Sequence, residues 1–192
     1  MATVAVARHV VLCVILSLLL VGSCEARPLR QPTSTSKQGT VDGITAIYNF
    51  GDSISDTGNF VREGAVGMMS HTGELPYGTS INDGATGRCS DGYLMIDNLA
   101  KDLGLPLLKP YLDKGADFTH GVNFAVTGAT ALDTAALARR GITVAHTNSS
   151  LAVQLKWFKD FMGATTNSPQ EIREKLADSL VMVGEIGGND YN

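Results

Sequence analysis

Three short strings of the 192-residue sequence place small and polar residues at sharp corners: Gly51-Asp52-Ser53, Thr127-Gly128-Ala129 and Gly187-Gly188-Asn189. Each follows a short apolar run, so each falls at the C-terminal end of an expected strand. Ser53 offers a hydroxyl nucleophile. Glycine lets the main chain turn tightly and brings backbone N–H groups close to a bound molecule. A hydroxyl surrounded by donors for an oxygen that turns negative is what acyl transfer requires. A lone Gly-Asp-Ser is a turn more often than a site; three such corners at one sheet edge favour a site.

Other chemistries fit the residues less well. Once an N-terminal leader is removed, Cys89 and three scattered histidines, His71, His120 and His146, offer no metal cluster, so no metal is expected. Gly187-Gly188-Asn189 lacks the lysine and the helix of a phosphate loop. With 15 basic and 19 acidic residues, a net charge of −4 and Arg139-Arg140 as the only adjacent basic pair, nucleic acid is not an expected partner. No cofactor is expected.

The elements that must hold these corners follow from pattern. Ile44–Phe50 reads as a buried strand, Gly121–Ala125 as a short second strand and Ser179–Glu185 as a third. Asp91–Leu103 reads as a helix with Leu94, Ile96, Leu99 and Leu103 inward, capped by Ser90 or Asp91 and stopped by Gly104 and Pro106. Ser150–Met162 reads as a helix with Leu151, Leu155, Phe158 and Met162 on one face. Ser168-Pro169-Gln170-Glu171 opens a third helix, to about Leu176, with a capping box. Strands alternating with helices predict an α/β domain with a parallel sheet, whose ligands sit beyond the strand C-termini. The glycine-rich stretch from Phe60 to Gly87 reads as a surface excursion with at most one short helix.

The ends carry their own signals. Arg8 and His9, the apolar run Val10–Val21 and small residues to Ala26 form the order of a secretory signal peptide, residues 1–26. Twelve residues are too few to span a bilayer, so no integral span is expected after cleavage. Residues 27–43 read as a flexible leader, which leaves 44–192 as the folded part. Cleavage removes Cys13 and Cys24 and leaves Cys89 without an intramolecular partner. Asn148-Ser149-Ser150 is an N-glycosylation sequon, and Asn148 the expected site.

The motifs resemble the plant GDSL-type esterases and lipases of the SGNH hydrolase superfamily. The resemblance is carried by Phe50-Gly51-Asp52-Ser53-Ile54-Ser55-Asp56-Thr57-Gly58-Asn59 and Leu75-Pro76-Tyr77-Gly78. It continues in Thr86-Gly87-Arg88-Cys89-Ser90-Asp91-Gly92 with Asp97 and Ala100, in the run from Gly121 to Ala129, and in the run from Gly184 to Tyr191. The resemblance implies a three-layer α/β/α fold with a flavodoxin-like parallel sheet of about five strands. It implies Ser53 as nucleophile, with oxyanion donors from the Ser53 N–H, the Gly128 N–H and the Asn189 side chain. Asp56 and Asn59 match the acid and amide that brace the serine loop. Tyr93 stands where the family pattern has arginine.

The family's base, an Asp-x-x-His motif, lies C-terminal to the block that ends this sequence. The one string of that form, Asp117-Phe118-Thr119-His120, falls before the second strand, where the family has no catalytic residue. Residues 44–192 are therefore expected to form the N-terminal part of the domain, with an apolar sheet edge exposed. The expected function is a secreted serine ester hydrolase, extracellular in the cell wall or apoplast, or vacuolar, acting on a small-molecule or lipid ester. The alternative is a catalytically inactive truncated product or binding module of the same fold. The oligomeric state is not legible.

Overall fold

The computed structural model describes residues 41–64, 67, 70–81, 84–142 and 146–191. The expected signal peptide and most of the expected leader lie outside these residues. The leader's last three, Val41–Gly43, form a 3-10 turn whose Val41 N–H reaches the Leu103 carbonyl at 3.3 Å. This end of the leader is built into the domain.

Three parallel strands form the sheet: β1 (Ala46–Phe50), β2 (Gly121–Asn123) and β3 (Ser179–Val183), in the order β2-β1-β3. That order is the start of the flavodoxin-like 2-1-3-4-5 arrangement. Ile47 pairs with Gly121 on one side and Leu180 on the other. Every residue of β1 is buried, as a central parallel strand requires. Helix α1 (Met95–Asp102) lies between β1 and β2 in sequence; α2 (Thr134–Ala138), α3 (Leu151–Thr165) and α4 (Pro169–Ala177) lie between β2 and β3.

The helices cover both faces, which makes three layers. Ile47 faces α1 and packs with Ile96, Ala100 and Leu103. Ala46, Tyr48 and Phe50 point the other way, among Phe124, Phe161 and Met162, with Ile172 and Leu176 of α4 against them. Phe50 stacks on Phe124 at 5.3 Å between centroids, and Phe158 meets Tyr48, Phe50 and Phe124 edge-on. Such pairs add about 0.5–1.5 kcal/mol each to the area they bury. On β3, the edge strand, Val181 is 47% and Val183 63% exposed. No helix among the described residues is long and apolar enough to cross a membrane.

Several sequence expectations shift. Leu155 is exposed; the inward face of α3 uses Gln154 in its place, because the helix presents Leu151, Gln154, Phe158, Phe161 and Met162 to the sheet. Helix α1 starts at Met95, not near Ser90 or Asp91: Asp97 reaches back to the Leu94 N–H at 2.9 Å, while Ser90 Oγ takes the Gly92 N–H. Glu171 bonds the Asn167 N–H and not that of Ser168, although Ser168 Oγ accepts from Glu171 N–H as a cap should. Strand β2 stops at Asn123, whose Oδ1 takes the Ala125 N–H at 2.9 Å. Strand β3 stops at Val183. Helix α2, capped by the Asp133 carboxylate on Ala136 N–H, was not expected. Among its described residues the Phe60–Gly87 excursion holds two 3-10 turns and buries Phe60, Thr72 and Ile81, so part of it is core.

Candidate active site

The first corner is built by Gly51. Its φ is +153°, and a Cβ there would lie 2.7 Å from Ser55 Oγ and 2.9 Å from the Glu185 carbonyl, so no side chain fits. The next residue, Asp52, donates its N–H to that same carbonyl at 3.1 Å. Ser55 N–H returns to the Asp52 carbonyl at 3.2 Å, and Ile54 N–H to the Asp52 carboxylate at 3.1 Å. These bonds close a turn around Ser53, which is half-buried between the buried Asp52 and the exposed Ile54.

Beneath the turn lies a buried polar frame. Asp56, fully buried, accepts from the N–H groups of Gly58, Asn59, Phe60 and Thr127 and from the Thr127 hydroxyl. Burial pushes its carboxyl up from the ordinary value, and those backbone N–H groups pull it back. Asn59 donates to the carbonyls of Asn123 and Ala125 at 2.8 and 2.9 Å and accepts from Leu112 N–H. Asn123 in turn accepts from Asn49 at 3.0 Å and donates to the Ser55 carbonyl. The serine turn is thereby fastened to β1 and to the end of β2.

The other two corners meet the first. Gly128 has φ +78°, and a Cβ there would come within 2.6 Å of His146 Cβ. Asn189 sits in a 3-10 turn, Gly188–Asp190, after β3. Its amide donates to the Ala129 carbonyl at 2.9 Å and, more weakly, to the Asp52 carboxylate at 3.4 Å. Asn189 thus touches the residue before Ser53 and the residue after Gly128. The chain brings all three sequence-predicted positions to one end of the sheet, beyond the strand C-termini. Burial pushes the Asp52 carboxyl up; the Ile54 N–H opposes this, and the Glu185 charge adds to it. Beside these loops a cleft of about 630 Å³ opens, lined by Leu132, Leu137, Ile142, Ile186 and Asp190.

The histidines divide by position. His120 immediately precedes β2: its carbonyl accepts from Ile47 N–H at 3.1 Å, and its Nδ1 lies 3.0 Å from the Thr45 carbonyl. That is the opposite end of β1 from Ser53, and at about 3.3 Å per residue the strand alone separates them by roughly 15 Å. The Asp117 carboxylate is engaged by the N–H and hydroxyl of Thr119. His71 is on an exposed 3-10 turn, 3.8 Å from Glu74. His146, expected at the surface, is exposed and also packs over Gly128.

The GDSL-like lipase/acylhydrolase family model matches residues 47–192, the span of all three corners. The chain belongs to that family. Its curated relatives include acetylajmalan esterase 1 of Rauvolfia serpentina, 48% identical over 155 residues, 81% of this chain and 41% of the relative. A second acetylajmalan esterase of that plant is 47% identical over 80% of this chain and 40% of the relative. A GDSL esterase/lipase of Arabidopsis thaliana is 46% identical over 77% of this chain and 41% of the relative. The chain spans about two-fifths of the length of these relatives. No solved structure matches it. The parallel α/β sheet of its described residues agrees with that membership.

In this GDSL chain Gln154 and Glu63, which help hold the corners, escaped sequence reading. Gln154, fully buried, accepts from Gly51 N–H at 3.0 Å and donates to the Gly51 and Ser149 carbonyls at 2.8 and 3.1 Å. Its signal was a polar residue on an apolar stripe spaced three and four apart. Arg88 forms a buried two-pronged ion pair with Asp97, both bonds within 2.8 Å, so the loop with Tyr93 in place of arginine keeps an ion pair. Glu63 accepts from the Thr147 and Ser149 hydroxyls and ties the Phe60 loop to the start of α3. The Cys89 thiol is free, bonded to Thr127 Oγ1 at 3.3 Å, and burial pushes its pKa up.

Proposed function

We propose that this chain forms the nucleophile-and-oxyanion half of a secreted serine ester hydrolase. Ser53 Oγ attacks the ester carbonyl and gives up its proton to a base. The carbonyl oxygen becomes negative within reach of the Ser53 N–H, the Gly128 N–H and the Asn189 amide. The C–O bond to the alcohol then breaks, the alcohol leaves with the proton, and an acyl group remains on Ser53. Water releases it by the same steps in reverse order. Asn189 donates to the Ala129 carbonyl at 2.9 Å and only weakly to the Asp52 carboxylate at 3.4 Å, and the weak bond is the one an oxyanion replaces.

The observation that carries this reading is the reach of Asn189 to the neighbours of both Ser53 and Gly128. The base is assigned to the family's Asp-x-x-His motif, outside these residues, since Asp117 and His120 lie at the far end of the sheet. That placement of His120 also supports a second reading, in which the 192 residues alone are a non-catalytic module of the same fold. The names of two relatives point to acetyl esters, and the cleft beside the Asn189 loop has room for a bulky alcohol. The signal peptide of residues 1–26 directs the protein to the cell wall, apoplast or vacuole, and Asn148, which is exposed, takes a glycan.

Steady-state hydrolysis of p-nitrophenyl acetate by the full-length protein tests the proposal. Ser53→Ala abolishes turnover. Asn189→Ala lowers kcat about 100–1,000-fold with KM little changed, as expected for a donor used chiefly in the transition state. Unchanged kcat in Asn189→Ala contradicts the assignment.

A further inference from the structure

The two loops that carry the Gly128 and Asn189 donors leave strands that do not pair with each other. In the order β2-β1-β3 the central strand separates them, so no sheet ladder fixes the distance between the loops. Apart from Ile186, which packs against Val126 and Ala129, the loops are joined by side-chain hydrogen bonds from two adjacent residues. Asn189 supplies one, to the Ala129 carbonyl. Asp190 supplies two: its carboxylate oxygens accept from Ala131 N–H at 2.8 Å and Leu132 N–H at 2.9 Å. No other hydrogen bond among the described residues connects them.

We infer that Asp190 is a positioning residue: its two-pronged grip on the Ala131-Leu132 backbone sets the spacing between the Gly128 N–H and the Asn189 amide, so that both face one oxyanion. The chemistry suits the task. A carboxylate taking one N–H on each oxygen fixes orientation as well as distance, and an ionised acceptor makes the stronger bond. The grip lies at the exposed margin of the fold, with only Asp190 half-buried, away from the aromatic core, so its loss misaligns donors without opening that core. Misplacement of such groups by an ångström costs rate far more than binding.

This inference rests on the ester-hydrolase reading, and the experiment separates the two. In the full-length protein, Asp190→Ala and Asp190→Asn are compared with wild type, with Ser53→Ala as control, by p-nitrophenyl acetate kinetics, thermal unfolding and amide hydrogen exchange. Asp190→Ala is expected to lower kcat about 10–100-fold with KM within about two-fold, at a nearly unchanged unfolding midpoint. Exchange at Ala131 and Leu132 should quicken in that variant. Asp190→Asn, which keeps one acceptor oxygen, falls between. Unchanged exchange at those two amides overturns the grip. Faster exchange with unchanged kcat, or a kcat loss that tracks a falling midpoint, overturns the positioning role. Turnover that survives Ser53→Ala overturns Ser53 as the nucleophile, and no turnover by wild type overturns the ester-hydrolase reading itself, while the exchange data still report on the grip.

Discussion

Asp52 carries a carboxylate into a buried place beside the nucleophile, 4% exposed, with Glu185 adding like charge. Its pKa in the folded chain is therefore above that of the unfolded chain, and the folded state binds the proton more readily. Stability from this group is fully present below the unfolded value of about 4 and is lost as pH rises through the folded value. Asp52→Asn removes that dependence. The variant should gain stability relative to wild type as pH is raised from about 4 to 7, a trend that thermal unfolding at the two pH values measures. A difference that stays flat or reverses contradicts the burial account. At this scale the sequence was most readable where residue type limits the options. A serine after a strand and glycines at corners announce themselves, whereas the Asp190 grip depends on two backbone N–H groups that any residues but proline at 131 and 132 would supply.

Helix α3 shows how one element reaches into a site it does not line. Gln154 replaces what would be a leucine on the inward face and spends its amide on the backbone of Gly51, two residues before Ser53. Gln154→Leu keeps the shape and leaves the Gly51 N–H without its partner. Orphaning one or two buried groups costs about 2–4 kcal/mol, which for a domain of this size lowers the unfolding midpoint by roughly 5–10 °C. Calorimetry checks the midpoint, and a variant as stable as wild type would show the bonds to be incidental. The strands and longer helices were legible because apolar runs and 3.6-residue periodicity decide them. Leu155 was misread because periodicity finds a stripe but not the residue at its centre, and a polar residue serving the backbone breaks the pattern. Helix α2 was missed because five residues are too few to show a period.

At the scale of the molecule, a parallel sheet with β1 in the centre gathers three strand ends on one side, and one end holds both the serine turn and the loops that flank it. The fold class and the gathering of the corners at one sheet edge were readable from alternation; the bonds from Asn189 to the neighbours of Ser53 and Gly128 needed the structure. Asn148 is exposed while Ser149 and Ser150 are buried, so a glycan there must be added before the chain closes. Expressed through the secretory route, the protein should lose mass on enzymatic deglycosylation, and Asn148→Gln should abolish that loss; a loss that persists in the variant places the glycan elsewhere. The central claim is that Ser53 is the nucleophile, and mass spectrometry of the full-length protein treated with a fluorophosphonate tests it most directly. The account predicts a single adduct on the peptide bearing Ser53, absent in Ser53→Ala and formed more slowly in Asn189→Ala. No adduct on wild type, or one that survives Ser53→Ala, would contradict it.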